Sequence, residues 1–281
     1  MGELYLVLHV RALAARCTAT APDVKKIRDI FSALWFGVLG TLLLAGCASG
    51  PAASESPASE STALPSAKRI RIVLVGDSTV TDHAGWGAGL KQLIDDQIEC
   101  ENFAQGGRSS KSFIEEGHWE KALAGGADYV LIQFGHNDMP GKGPARETDP
   151  NTTYREWMGR YVDESRAAGA EPVLITSMTR RNFRDGKIVT LLGDYAQAVR
   201  DLAREREIPL VDLHAASIDL LNQLGPAESE TLGPMANGRR DRTHLSARGQ
   251  AVMAALLTDL LRQAIPELAP HLSVVSSHDQ P

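Results

Sequence analysis

The chain has 281 residues, 43% hydrophobic and 23% charged, with a formal net charge of -6. Residues 1–46 carry five Lys/Arg against three Asp/Glu, so the remainder carries -8, a balance that argues against a general nucleic-acid binder. Setting aside a leader and a tether leaves about 215 residues, enough for one well-buried core. Of three cysteines, Cys17 and Cys47 precede that core, so Cys100 has no disulfide partner within it and reads as a small apolar residue.

Along the chain, Ile30 to Gly46 is an apolar stretch preceded by Lys25, Lys26 and Arg28 and closed by Leu44-Ala45-Gly46-Cys47. It resembles a bacterial lipoprotein signal with its lipobox, a short apolar segment followed by a small-residue cleavage site. Residues 1–46 are thus expected to be a leader, with Cys47 the lipidated first mature residue and the membrane partner reached through that lipid anchor. The alternative is an ordinary transmembrane anchor, since the apolar length is near the borderline. Residues 1–23 lengthen the charged region and add the apolar patch Leu4 to Val10, so translation is expected to begin near Val24, from a non-ATG start. Ala48 rather than Asp after the lipidated position leans towards the outer membrane or periplasmic face. Residues 47–68 are rich in Ala, Ser, Pro and Glu and read as a flexible tether. Residues 69–268 are the folded domain and 269–281 a tail.

Within the domain, strand-like runs fall at Ile70 to Val75, Glu99 to Phe103, Tyr129 to Phe134, Pro172 to Thr176 and Pro209 to Leu213. Helical spacing relates Leu90, Leu93, Ile94 and Ile98, then Tyr154, Trp157, Met158, Tyr161 and Val162, then Tyr195, Ala198, Val199 and Leu202. A last helix runs from Ser246, a plausible N-cap, to Ala264. Short apolar strands alternating with helices predict a parallel sheet covered on both faces: an α/β, three-layer α/β/α sandwich, flavodoxin-like, with strand order 2-1-3-4-5.

Two blocks carry chemistry on their own. Gly76-Asp77-Ser78-Thr79-Val80-Thr81-Asp82 follows the first strand, where a sharp turn can present a serine hydroxyl to solvent. Asp241-Arg242-Thr243-His244-Leu245-Ser246 places an Asp three residues before a His, able to reach its Nδ1 proton and leave Nε2 for the serine. With Asn102-Phe103-Ala104-Gln105-Gly106-Gly107-Arg108-Ser109 and Gln133-Phe134-Gly135-His136-Asn137-Asp138, these blocks resemble the SGNH (GDSL) hydrolase superfamily, and within it the rhamnogalacturonan acetylesterase group. The resemblance spans about Arg69 to Leu261. It implies Ser78 as nucleophile, Gly107 and Asn137 as oxyanion donors with the Ser78 amide, and Asp241 with His244 as the rest of the triad. Ser78, Gly107 and Asn137 each follow one of the first three strands, where ligands bind open α/β sheets.

The implied reaction is ester hydrolysis through an acyl-serine, without cofactor or metal. The expected substrate is an acetylated polysaccharide or oligosaccharide of the plant cell wall, foremost rhamnogalacturonan. Acetylated xylan or another short acyl ester, and a noncatalytic carbohydrate-binding lipoprotein, are the alternatives. Trp86, Arg108 and His136 are candidate substrate contacts, although Trp86 and Trp119 also suit packing and His136 also suits a satisfied loop histidine. Arg180, Arg181, Arg184, Lys187, Arg239, Arg240 and Arg242 form positive loops that either attract a uronate polymer or pair with Asp and Glu. Asp77 and Asp138 read as structural, bonding loop amides, and His83, His118 and His214 as surface or packing residues. The polar inserts Met139 to Thr152 and Gly225 to Gly238 offer no apolar lid.

Overall fold

The computed structural model describes residues 69–274. The leader, the lipidation position Cys47 and the tether lie outside these residues.

In chain order the elements are β1 (Ile70–Gly76), α1 (Gly87–Lys91), β2 (Ile98–Asn102), α2 (Ser110–Glu115), α3 (His118–Leu123), β3 (Tyr129–Gln133), α4 (Thr153–Ala167) and β4 (Glu171–Ile175). There follow the hairpin β5 (Phe183–Arg184) and β6 (Lys187–Ile188), α5 (Gly193–Arg206), β7 (Leu210–Val211), α6 (Leu213–Glu230), the hairpin β8 (Met235–Ala236) and β9 (Arg239–Arg240), and α7 (Ala247–Ala264). A 3-10 turn over Pro266–His271 closes the series.

The five longer-range strands make one parallel sheet ordered β2-β1-β3-β4-β7, the expected 2-1-3-4-5 arrangement. Successive strand side chains point to opposite faces. Ile72, Leu74, Leu131, Val173 and Ile175 therefore join one core, which includes Leu257 and Leu261 of α7 and Leu221 of α6. Val73, Val75, Val130, Ile132 and Leu174 join the other, with Phe113, Tyr154, Met158, Tyr161, Tyr195 and Leu202 of α2, α4 and α5. Both faces are buried, which is why the strands read as continuous apolar runs.

Ser246 caps α7, its hydroxyl accepting the Gly249 amide at 3.2 Å. Gly249 is needed there because a Cβ would meet the Leu232 carbonyl oxygen at 2.0 Å.

Three local expectations are corrected. The helical spacing from Leu90 to Ile98 stops with α1 at Lys91, because Asp95 bonds the Gln97 amide at 2.9 Å and turns the chain, so Ile98 opens β2. The run Pro209 to Leu213 is cut at Val211, where Asp212 caps α6 through the Ala215 amide and is held by Arg200. α6 itself continues to Glu230 across a break at Gly225, whose φ of 73° precedes Pro226. Finally, packing runs past residue 268: Leu272 is buried and bridges Ile94, and the Ser273 amide donates to the Leu93 carbonyl at 2.7 Å. Cys100 is partly buried against the first core, and burial pushes its thiol up to about 12.

Candidate active site

Parallel strands put their carboxyl ends at one edge of the sheet, and the turns after β1, β2 and β3 meet there. After β1 the chain turns at once, the Val80 amide donating to the Asp77 carbonyl at 3.1 Å. Asp77 and Thr79 point inward and are buried, while Ser78 between them is partly exposed. Asp77 Oδ1 accepts the Thr79 amide at 2.8 Å and the Thr79 hydroxyl at 2.7 Å. Burial raises the Asp77 carboxyl above its ordinary range, against the pull of those bonds. The Gln133 amide donates to Thr79 Oγ1 at 2.7 Å and accepts the Trp86 indole N–H at 3.0 Å, completing a buried polar chain beneath the serine.

From the other end of the sequence, the segment before α7 swings over this turn, the Leu245 amide donating to the Ala84 carbonyl at 2.9 Å. His244 Nε2 lies 2.9 Å from Ser78 Oγ and His244 Nδ1 lies 2.7 Å from Asp241 Oδ2. With a carboxylate at Nδ1, that nitrogen carries the proton and Nε2 accepts from the hydroxyl. Asp241 Oδ1 accepts the Thr243 and His244 amides at 2.7 and 3.0 Å. Burial alone would raise the Asp241 carboxyl, but the hydrogen bonds from the His244 ring and these two amides outweigh it and hold it at about 2. Such a chain of hydroxyl, imidazole and carboxylate can make a hydroxyl nucleophilic as its proton leaves.

The second and third blocks form the opposite wall. Gly107 has φ of 79°, a left-handed conformation that favours glycine, and an added Cβ at neighbouring Gly106 would lie 3.7 Å from Ser78 Cβ. Asn137 Nδ2 donates to the Arg108 carbonyl at 3.0 Å, joining the turn after β3 to the turn after β2. One hydrogen of that amide group remains for another acceptor. Asp138 accepts the Ser110 amide at 3.1 Å, its hydroxyl at 2.5 Å and the Thr148 hydroxyl at 3.0 Å.

Two of the candidate substrate contacts are corrected. Trp86 is 0% exposed and its indole N–H is satisfied by Gln133, so it cannot stack on a sugar. His136 is 2% exposed, with Nε2 donating to the Met178 carbonyl and Nδ1 accepting from Arg180, so it is a satisfied buried histidine. Burial, aided by the Arg180 charge, pushes it down to about 3. Arg108 stays at the crevice but is paired with Glu116 at 2.8 Å. Trp119 is also interior, its indole donating to Glu164 at 2.6 Å. Asp77 and Asp138 bond loop groups as expected. Among the described residues no group of three His, Cys, Asp or Glu is placed to hold a metal ion.

Sequence reasoning missed the work of Arg181. It is 2% exposed, and Nη2 donates to the carbonyls of both Asp241 and His244, at 2.7 and 2.5 Å, from below. Its amide donates to the Arg242 carbonyl at 2.9 Å. Burial lowers the guanidinium to about 10, against the attraction of Asp241. The sequence shows only one more arginine in a basic loop.

Residues 74–252 match the GDSL-like lipase/acylhydrolase family. The chain belongs to this family. It is a carboxylic ester hydrolase of the SGNH type. The rhamnogalacturonan acetylesterase RhgT of Bacillus subtilis is 36% identical over 225 residues, covering 73% of this chain and 95% of that protein. A rhamnogalacturonan acetylesterase of Emericella nidulans is 30% identical over 214 residues, 68% of this chain and 84% of its own length. In structure, the YxiM protein of Bacillus subtilis superposes with a TM-score of 0.61 at 27% identity over 70% of this chain, which spans 57% of that protein. An acetylxylan esterase from Geobacillus stearothermophilus matches with a TM-score of 0.53 at 18% identity, over 70% of this chain and 94% of its own, a likeness of fold.

Proposed function

We propose that this esterase removes acetyl groups from carbohydrate, with rhamnogalacturonan the substrate, through an acyl-serine intermediate. The observation that carries the chemistry is the unbroken contact chain from Asp241 through His244 to Ser78. Ser78 Oγ attacks the acetyl carbonyl while its proton passes to His244 Nε2, and Asp241 holds the imidazolium that forms. The Ser78 and Gly107 amides and the free Asn137 N–H receive the oxyanion, each such donor contributing about 3 kcal/mol. Collapse breaks the bond to the sugar oxygen, which takes the proton from His244 Nε2 and leaves as a hydroxyl. Water, with His244 again as base, then releases acetate.

The choice of polymer is supported by the named activities of relatives at 30 and 36% identity. The likeness to an acetylxylan esterase bears on fold alone. We further infer that the enzyme is exported and held to a bacterial membrane by lipid on Cys47, which the Leu44-Ala45-Gly46-Cys47 run supports. Loss of radiolabelled palmitate from Cys47→Ser is the expected result, and unchanged labelling removes the inference.

The test is acetate release from acetylated rhamnogalacturonan, acetylated xylan and p-nitrophenyl acetate, with Ser78→Ala alongside. Preferential release from rhamnogalacturonan, abolished in the variant, is expected. Equal activity of Ser78→Ala refutes the nucleophile, and preference for xylan refutes the polymer.

A further inference from the structure

Several cations of the crevice loops have fixed partners. Arg108 pairs with Glu116, Arg242 reaches Glu230 at 3.7 Å, and Arg181 lies under the triad loop. Three others belong to or touch the turns after β2 and β3. Lys142 and Arg146 come from the insert after Asn137, and Arg180 from the loop after β4; among the described residues none of the three makes an ion pair.

Arg146 is held against the Gly107 turn and the Lys142 backbone, and Arg180 against His136, the neighbour of Asn137. Arg146 Nη1 donates to the Gly107 carbonyl at 3.4 Å and its Nε to the Lys142 carbonyl at 2.9 Å. Arg180 lies along His136, Nε donating to Nδ1 at 3.2 Å and Nη2 to the carbonyl at 3.4 Å. Burial, then the like charges of Arg180 and Arg146, hold the Lys142 ammonium below the usual lysine range. The carboxylate beside them in sequence, Glu147, accepts the Gly143 amide at 2.6 Å instead.

Mutually repelling cations gathered in a crevice create a local positive potential that an anionic ligand relieves. Arg180 also lines a small hollow of about 60 Å³ with Met139, Asn182, Val189 and Leu191, and Leu191 is 76% exposed at its rim. A pyranose ring has an apolar C–H face and polar edges, so the exposed apolar rim beside the Arg180 guanidinium suits a sugar ring bearing a carboxylate laid across it.

We propose that Lys142, Arg146 and Arg180 form a carboxylate-binding subsite that seats a uronate residue of the polysaccharide next to the acetyl ester held at Ser78. The inference rests on the polysaccharide acetylesterase reading, and it assigns the specificity of that site to residues outside the triad. An acetylated polymer lacking carboxylates would leave the three charges unneutralised and bind less well.

The experiment uses the full chain. Hydrolysis of p-nitrophenyl acetate is followed with unacetylated oligogalacturonate as competitor, and with neutral xylo-oligosaccharide of the same length as control. Oligogalacturonate is expected to inhibit about tenfold more strongly than the neutral oligomer, with the difference shrinking as salt is raised. Lys142→Gln and Arg180→Gln are each expected to weaken that inhibition about tenfold, and Arg180→Lys to retain most of it. Equal inhibition by the two oligomers overturns the subsite, as does undiminished oligogalacturonate inhibition when Lys142→Gln and Arg180→Gln are combined. Turnover of p-nitrophenyl acetate falling as far as competitor binding also overturns it, since that pattern marks mere support of the Gly107 and Asn137 loops. The competitor carries no ester, so the subsite stands or falls separately from rhamnogalacturonan as substrate, which acetate release decides.

Discussion

Replacing Arg181 with Met tests how the loop bearing Asp241 and His244 is held. The guanidinium is buried and donates to the carbonyls of both residues, so its removal leaves two partly buried carbonyls without their donor. Each buried acceptor left unpaired costs about 1–3 kcal/mol. Losing a desolvated cation returns part of that, since charge burial is itself unfavourable. The expected net destabilisation of Arg181→Met is about 2–4 kcal/mol. The catalytic effect is separable, because His244 must keep 2.9 Å to Ser78 Oγ while holding 2.7 Å to Asp241. A drift of about 1 Å in such a group lowers turnover about a hundredfold. Urea unfolding gives the stability, and p-nitrophenyl acetate kinetics under conditions where the variant is fully folded give kcat and KM. The expected pattern is a fall in kcat with KM little moved. Arg181→Lys supplies a point charge in place of the rigid fork and is expected to recover stability in part and kcat less. A folded Arg181→Met with kcat within about twofold of the parent refutes the positioning argument.

Asn137→Ala is expected to lower kcat by about 10²–10³ with little change in KM, the signature of a contact made to the developing oxyanion; an equal rise in KM, measured on the same ester, would contradict that role. Asp138 gives a prediction about pH. Burial pushes its carboxyl up to about 7, against the hydrogen bonds from Ser110 and Thr148. A raised folded value means that the native state binds the proton more tightly than the unfolded chain, so the contribution is present below about pH 4 and lost as pH rises to about 7. Asp138→Asn removes this slope. The stability of the parent relative to the variant is expected to fall by about 1 kcal/mol per pH unit across that window, measured by urea titration at several pH values. A constant difference would mean that the Ser110 and Thr148 bonds, not burial, govern the group.

What the sequence made legible was local. The apolar runs located the strands, and a turn directly after a strand has nowhere to go but the carboxyl edge of the sheet, so Ser78, Gly107 and Asn137 were placed by position alone. Asp241 and His244 are three residues apart, a spacing that lets one turn bring carboxylate and ring together. The errors came where distant partners decided. Trp86 has a face suited to a sugar, and its fate depends on Gln133, 47 residues on. His136 is satisfied by Met178 and Arg180 from beyond the next strand. The basic loops looked uniform in sequence, yet Arg181 is interior, Arg242 is paired, and Arg146, which drew no notice, reaches the Gly107 carbonyl. Side-chain charge is visible in a sequence; which carboxylate or carbonyl neutralises it is a tertiary fact.

The site is stiff for a reason that follows from its chemistry. An oxyanion donor helps only if it already points at the charge that will develop, since reorienting during reaction would consume the gain. Each crevice loop is accordingly fastened by a buried polar group: Asp77 and Thr79 under Ser78, Asp138 behind Asn137, and Arg181 under His244. Thr148 extends the same device outward. Its amide donates to the Asp138 carbonyl at 2.9 Å, and Tyr195 bonds the carbonyls of both residues, at 3.1 and 2.7 Å. The insert that bears Lys142 and Arg146 is thus tied to the segment that presents Asn137. If Lys142 and Arg146 bind the polymer and Asn137 the oxyanion, as proposed, both tasks fall on one hydrogen-bonded piece of backbone, and binding energy gained from a distant sugar is expected to be expressed at the ester.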